Sequence, residues 1–164
     1  MQSARLTIRP TEAQDREGLI ALLVSADVRR FLGGPLDRAV AESHVSATPI
    51  VRPGRFTVEK DDLFLGTVMV DRRSASRPGH LAPMASEVEI SYTFLPPWWG
   101  SGFATEAVEC VLNWIASVLP GEPVVLCTQL ANDASVRLAK RVGFTQHQRF
   151  VEFGAEQWFG YTTP

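Results

Sequence analysis

Residues 89–116 read EISYTFLPPWWGSGFATEAVECVLNWIA, and the order of the pieces in this stretch decides the fold. An alternating run ends at Phe94 and Leu95, a turn holds Pro96, Pro97, Gly100 and Gly102, and a helix follows. Ala104, Ala107, Val108, Val111, Leu112 and Ile115 recur at helical spacing and form one apolar stripe, with Glu106, Glu109 and Asn113 mostly off it. Gly100 and Gly102 stand just before that stripe. There an absent Cβ lets an anion approach the backbone, and the first helical amides have no partner within the helix. A helix start of this kind binds phosphate.

Strand, glycines, helix is also the order of other motifs. A dinucleotide fingerprint counted from Gly100 would need Gly or Ala where Thr105 stands, and an acidic ribose ligand where Gln129 ends the next strand-like run. A Walker loop needs Gly-Lys-Ser/Thr after its glycines, and the chain has no such triplet. An ordinary strand-to-helix turn fits the local pattern as well.

The stretch resembles the acetyl-CoA signature of the GNAT N-acetyltransferases, Gln/Arg-x-x-Gly-x-Gly/Ala at the start of a helix. Here it reads Trp99-Gly100-Ser101-Gly102-Phe103-Ala104, with Trp in the Gln/Arg position. The longer string, EISYTF followed by PPWWGSGFATEA, is similar to the RimJ/RimL-like branch. The resemblance implies that amides from Gly100 to Thr105 hold the pyrophosphate of coenzyme A. It also implies that Phe94 and Leu95 pair with the pantetheine as an added strand would.

The rest of the chain sets modest bounds. Its 164 residues suit a single domain, 1–164, large enough to bury a core without disulfides or metal. Hydrophobic residues make up 45% and charged residues 21%, ordinary for a globular protein. A net charge of −2 gives no electrostatic grip on nucleic acid or an anionic membrane, so neither is an expected partner. The N-terminal MQSARLTIRP has no apolar core after its charge, and the longest apolar run, Leu19 to Val24, is too short to span a bilayer. A cytoplasmic location is therefore expected. Cys110 and Cys127 read as reduced packing thiols, and with three scattered histidines they make no metal-ligand spacing, so no metal is expected.

Before the central stretch, Leu6 to Arg9 reads as a first strand, and Thr11 with Gln14 as a capping box for a helix ending near Ser25. Phe31 to Pro35 is a turn and Asp37 to Ser46 a second helix, on which His44 has no facing acid or nucleophile. Phe56 to Glu59 and Phe64 to Asp71 read as an antiparallel pair around Lys60-Asp61-Asp62. Gly66 weakens its strand unless backbone or ligand approaches there. Arg72 to Pro83 reads as a surface loop, its arginines lacking the interleaved aromatics of a nucleic-acid patch.

The fourth strand, Ser86 to Phe94, carries candidate chemistry. Alternation puts Glu87, Glu89 and Ser91 on one face. An ammonium must lose a proton before it attacks a thioester, and a carboxylate acting directly or through water assists that loss. The resemblance places Glu89 where the branch has its base, in an Ala-Glu-Ile-Gly-Tyr-Trp string; both glutamates facing solvent is the alternative. Val124 to Gln129 is an apolar run fitting a buried fifth strand, parallel to the fourth through a right-handed crossover.

Asn132 to Phe144, NDASVRLAKRVGF, resembles the family's Asn-x-x-Ser helix ended by Gly-Phe. By that resemblance Asn132 contacts the cofactor arm and Ser135 stands near its sulfur as the acid for the departing thiolate. The position seven after the asparagine, a tyrosine acid in many relatives, is Ala139 here. Asn132 as a helix cap and Ser135 as a helix-surface residue are the alternatives. Arg137, Lys140 and Arg141 are solvated charges or contacts to the adenosine phosphate. Phe144 to Phe153 and Gln157 to Thr162 close the pattern as two strands.

The expected fold is thus α/β or α+β of GNAT type. A mixed, mostly antiparallel sheet of about six or seven strands is flanked by helices, with a V-shaped gap between strands 4 and 5. The implied activity is acetyl transfer from acetyl-CoA to a primary amine, on a protein N-terminus or a small molecule, by direct attack in a ternary complex. A homodimer is possible in such proteins. An inactive acyl-CoA-binding module or sensor, or a nucleotide-binding protein using the same turn, are the other readings.

Overall fold

The apolar stripe of the central stretch becomes helix α4, Phe103–Val118, in the computed structural model, which describes residues 1–164. Ala107, Val108, Val111 and Ile115 are fully buried and Leu112 nearly so. Burying a side chain the size of Val111 or Ile115 stabilises by about 1.5–3 kcal/mol each, so the stripe holds the helix in place.

Seven strands make one sheet: β1 (Thr7–Pro10), β2 (Arg55–Lys60), β3 (Leu63–Arg72), β4 (Val88–Phe94), β5 (Val124–Gln129), β6 (Thr145–Glu152) and β7 (Ala155–Thr162), in the order β1-β2-β3-β4-β5-β7-β6. β4 and β5 run parallel across the α4 crossover, whereas the β1–β2, β2–β3, β5–β7 and β6–β7 pairs are antiparallel. The parallel ladder is short. It registers Val88 with Val124 and Glu89 with Val125, and both strands run on beyond it. This is the mixed, helix-flanked sheet expected from the sequence, with pairing that lapses between strands 4 and 5.

The chain's contacts fall into two groups, Met1–Met69 with Tyr92–Cys110, and Val70–Ser91 with Val111–Pro164. In the first, helix α1 (Arg16–Val24) packs on α3 (Arg38–Ala47) through Ile20, Ala41 and Val45, with the short α2 (Ala26–Arg29) between them in sequence. The expected capping box is displaced by one residue. Glu12 and Asp15 form it, on a short 3-10 turn, while Thr11 is buried against the Thr57 hydroxyl. Asp15 also takes both guanidinium arms of Arg9 at 2.9 Å, which ties the first strand to the first helix. Asp37 caps α3 through the Ala39 amide, one residue from the expected start.

Gly66 has the neighbour its strand position required. A Cβ there would lie 2.7 Å from the Phe94 Cα and closer still to the Thr93 carbonyl oxygen, so β3 and β4 approach backbone to backbone.

In the second group β7 lies between β5 and β6, and its Trp158 and Phe159 are fully buried. Phe153 and Gly154 make the two-residue β6–β7 turn, with φ of 54° and 73°. Such mirror-image turns match the twist of a hairpin. Helix α5 (Asp133–Arg141) buries Leu138 and Ala139 and ends at Gly143, φ 94°. The segment expected to be a surface loop, Arg72 to Pro83, has a buried anchor, because Arg73 is only 1% exposed. No helix is long and apolar enough to cross a membrane.

Candidate active site

The turn ahead of α4 is built for close approach. Gly100 and Gly102 hold φ of 75° and 79°, a region L side chains rarely enter, and a Cβ on Gly100 would meet nothing within 4 Å. The first helical bond to reach back is from the Glu106 amide to the Gly102 carbonyl, 3.0 Å. The amides of Phe103, Ala104 and Thr105 belong to the turn with no intrahelical acceptor, where the helix dipole also favours an anion.

Arg5, which the sequence reading passed over, braces this turn. Its Nη1 donates to the Ser101 carbonyl, its Nε to Glu106 Oε2 at 2.7 Å, and its guanidinium lies 4.6 Å from the Phe103 ring centre. Burial alone would raise the Glu106 carboxyl. The Ser3 hydroxyl and the Arg5 guanidinium and amide outweigh it and hold the group below its ordinary value. No local motif marks Arg5, because its partner is 101 residues away.

Phe94 and Leu95, expected to pair with a pantetheine together, are not equivalent. The Leu95 amide is spent on the Leu65 carbonyl, so the backbone groups of Leu95 point to β3 and those of Phe94 to the other side. The Phe94 carbonyl accepts the Trp99 indole N–H at 2.6 Å. What this pair leaves for an added strand is the Phe94 amide. Trp99, in place of the signature's Gln or Arg, acts here as a cap on a strand end.

Glu87 and Glu89 do not face solvent, as one reading of the strand allowed. Glu89 is engaged by Arg73 Nη1 at 2.5 Å and by Arg77 Nη1 at 3.4 Å, one guanidinium on each oxygen. Arg77 continues to Glu152 through two bonds of 3.0 and 2.9 Å. Arg73 spends its other donors on the Gly79 and Pro78 carbonyls and lies over the Phe159 ring. Burying a guanidinium in this way is tolerated when it is paired and each of its nitrogens is bonded. Burial pushes the neighbouring Cys127 thiol up to about 11, which leaves it a packing thiol at neutral pH.

Glu87, 6% exposed, accepts from the Leu81 amide at 2.6 Å and from His80 Nδ1 at 2.7 Å. Burial would raise this carboxyl. The His80 ring and the backbone amides outweigh burial and keep it below its ordinary value. Asn132 Oδ1 accepts the Ser135 amide at 3.3 Å, so the asparagine caps α5 and keeps only its Nδ2 for a ligand. The structure thus joins Phe94, Leu95 and Trp99, and separately Asn132 and Ser135. Glu89 sits instead among arginines. Arg73 and His80 were missed because an irregular Ser-Pro-Gly stretch carries no periodicity to say which side chain turns inward.

A family model described as an acetyltransferase (GNAT) domain matches residues 5–145. The chain belongs to the GNAT acetyltransferase family. GNAT enzymes move an acetyl group from acetyl-CoA to an amine, and that is the reaction of this protein. A Bacillus subtilis relative, described as the uncharacterized N-acetyltransferase YoaA, is 25% identical over 152 residues, 88% of this chain and 81% of that protein. Among solved structures, a GNAT acetyltransferase from Bacillus anthracis superposes with a TM-score of 0.81 at 17% identity, covering 99% of this chain and 97% of the other. The spermidine N-acetyltransferase of Vibrio cholerae, solved with coenzyme A and spermine, gives 0.77 at 18% identity over 97% and 95%. RimL, the ribosomal L7/L12 α-N-protein acetyltransferase, gives 0.76 at 15% over 99% and 92%. At these identities the solved GNAT structures attest the fold.

Proposed function

We propose that the protein transfers acetyl from acetyl-CoA to a primary amine, on a protein N-terminus or a small molecule, by direct attack in a ternary complex, as a single domain. The observation that carries this is the turn before α4, where left-handed Gly100 and Gly102 precede helical amides that lack intrahelical acceptors. Amides from Gly100 to Thr105, including Ser101, Phe103 and Ala104, hold the pyrophosphate, and the Phe94 amide donates to the thioester oxygen where charge develops. Trp99 keeps the Phe94 strand end in place, and Asn132 Nδ2 donates to the cofactor arm. The bound thioester supplies an activated acetyl carbon. Glu89 draws the acceptor ammonium and assists its deprotonation through water, and Ser135 protonates the departing thiolate. A cytoplasmic setting, with reduced Cys110 and Cys127, goes with this reading.

The guanidinium grip on Glu89 favours one rival, an inactive acyl-CoA-binding module. Two measurements decide. Coenzyme A at about 100 times its Kd should stabilise the fold by about 2.7 kcal/mol, whereas NAD and ATP should not. Acetyl-CoA with a panel of amines and peptides, read by mass spectrometry, should give acetylated product. Glu89→Gln should lower kcat with coenzyme A affinity intact. Binding without transfer, unchanged by Glu89→Gln and Ser135→Ala, would leave only the inactive module.

A further inference from the structure

Beside the ion pairs of Glu89 lies a second titratable group with a different arrangement. The two oxygens of Glu87 are held by the Leu81 amide and His80 Nδ1, and its side chain is 4% exposed. An ionised carboxylate only accepts hydrogen bonds, so Nδ1 of His80 carries the hydrogen and Nε2 carries the lone pair. That Nε2 is buried and has no hydrogen-bond partner, although the side chain reaches the surface by 11%. A buried polar atom left unpaired costs about 1–3 kcal/mol and needs a reason. Trp158 Nε1 is also unpartnered, but an indole nitrogen keeps its hydrogen and accepts none.

The imidazole is held rigidly. Gln148 Nε2 donates to the His80 carbonyl, Arg73 Nε donates to the preceding carbonyl of Gly79, and Gly79 packs on the Phe150 ring. Arg73 reaches Glu89 with its other arm, and Glu87, one residue before β4, stands two residues from Glu89, about 7 Å along extended chain. Both oxygens of Glu89 are already engaged by guanidinium groups, whereas Nε2 of His80 has no partner and the ring is held through Nδ1 by a buried carboxylate.

We infer that the proton lost by the acceptor ammonium comes to rest on His80 Nε2, with Glu87 as the positioning residue that fixes the tautomer. The inference rests on the acetyltransferase reading. One ammonium proton passes by way of water beside Glu89 to Nε2 and later to solvent. The second replaces the proton that Ser135 gives the thiolate as the C–N bond forms and the C–S bond breaks, giving amide, thiol and one released proton. Glu87, just before β4, is the charged group bonded to the His80 ring, and the neutral Gln148 on β6 bonds the His80 carbonyl; the ion pairs of the same loop run from Arg73, just past β3, and Arg77 to Glu89 on β4, and from Arg77 to Glu152 on β6.

The test uses the full chain and the best amine from the panel. His80→Asn keeps a donor for Glu87 and removes the lone pair. Its kcat/KM should fall about 100-fold at pH 7. The gap should close as the pH approaches the acceptor's own pKa, about 10.4 for a lysine-like amine, because the amine then arrives deprotonated. A purely packing role would give a loss that pH does not repair. Nitrogen NMR of the wild type should show hydrogen on Nδ1 and none on Nε2 at pH 7. A His80→Asn enzyme within about threefold of wild type across pH, a loss independent of pH, or the reverse tautomer would each overturn the assignment. If His80→Asn fails to fold, the tautomer decides. Wild-type chain that acetylates nothing in the panel would instead defeat the acetyltransferase reading itself, and the base with it.

Discussion

Gly66→Ala tests whether the β3–β4 approach sets the geometry of the strand end that carries Phe94. The added Cβ would lie 2.7 Å from the Phe94 Cα and nearer still to the Thr93 oxygen, both of them backbone atoms. A rotamer change cannot relieve such a clash. Ordinary contact begins near 3.4 Å, so the two strands would have to part by more than half an ångström where the Leu95 amide meets the Leu65 carbonyl at 2.9 Å. Overpacking of this kind costs about 3 kcal/mol. For a chain of this size that lowers Tm by about 6–12 °C. Displacing the Phe94 amide should also weaken acetyl-CoA binding about tenfold, the worth of one hydrogen bond. Thermal unfolding and calorimetric titration with acetyl-CoA read the two effects. Gly154→Asn is the control, because its positive φ suits Asn and a Cβ there meets nothing within 4 Å. A Gly66→Ala protein that melts within about 1 °C of wild type would refute the close approach and the reasoning built on it.

Two further outcomes follow from named contacts. Trp99→Phe removes the indole N–H from the Phe94 carbonyl, worth about 1 kcal/mol, and should raise KM for acetyl-CoA about fivefold with kcat little changed; an unaltered KM would show that the cap is idle. Arg77 holds the Glu152 carboxyl below its ordinary value, with burial opposing. The unfolded chain therefore binds protons at a pH where the folded chain does not. Stability from this group is complete above the unfolded value and lost as pH falls through the folded one. Glu152→Gln should flatten the decline of urea midpoint as the pH falls through and below the ordinary carboxylate range, and equal slopes would contradict the ion pair.

The fold was legible because its signals are local. An apolar stripe, two glycines and a following apolar run place α4 between parallel strands, and a helix ended by Gly143 places α5. Turn chemistry was less exact. Thr11 offered a capping hydroxyl, but Asp15 could take Arg9, the Glu12 amide and the Thr57 hydroxyl together, and the more charged group became part of the cap. The turn before α4 was legible because it is a matter of backbone, with Gly100 and Gly102 in the left-handed region. The contacts of the candidate side chains were not legible where distant segments meet. Alternation put Glu89 on a face of β4 but could not say that Arg73 and Arg77 cover that face, since nothing in an irregular loop foretells which arginine is buried. The same gap hid the His80 pairing with Glu87 and the Arg5 pairing with Glu106.

The insertion of β7 between β5 and β6 has a consequence for how the chain is made. β6 leaves the ribosome first, yet within this sheet its one neighbour is the strand that follows it, and β5 likewise waits for that same final segment. The last third of the protein therefore cannot zip up in order of synthesis: it holds two unfinished edges, with Trp158 and Phe159 still to be buried between them, until the closing hairpin emerges. A stop codon after Glu152 would orphan both edges at once, so damage at the tail should be felt as aggregation of nascent chains rather than as a slightly shorter enzyme.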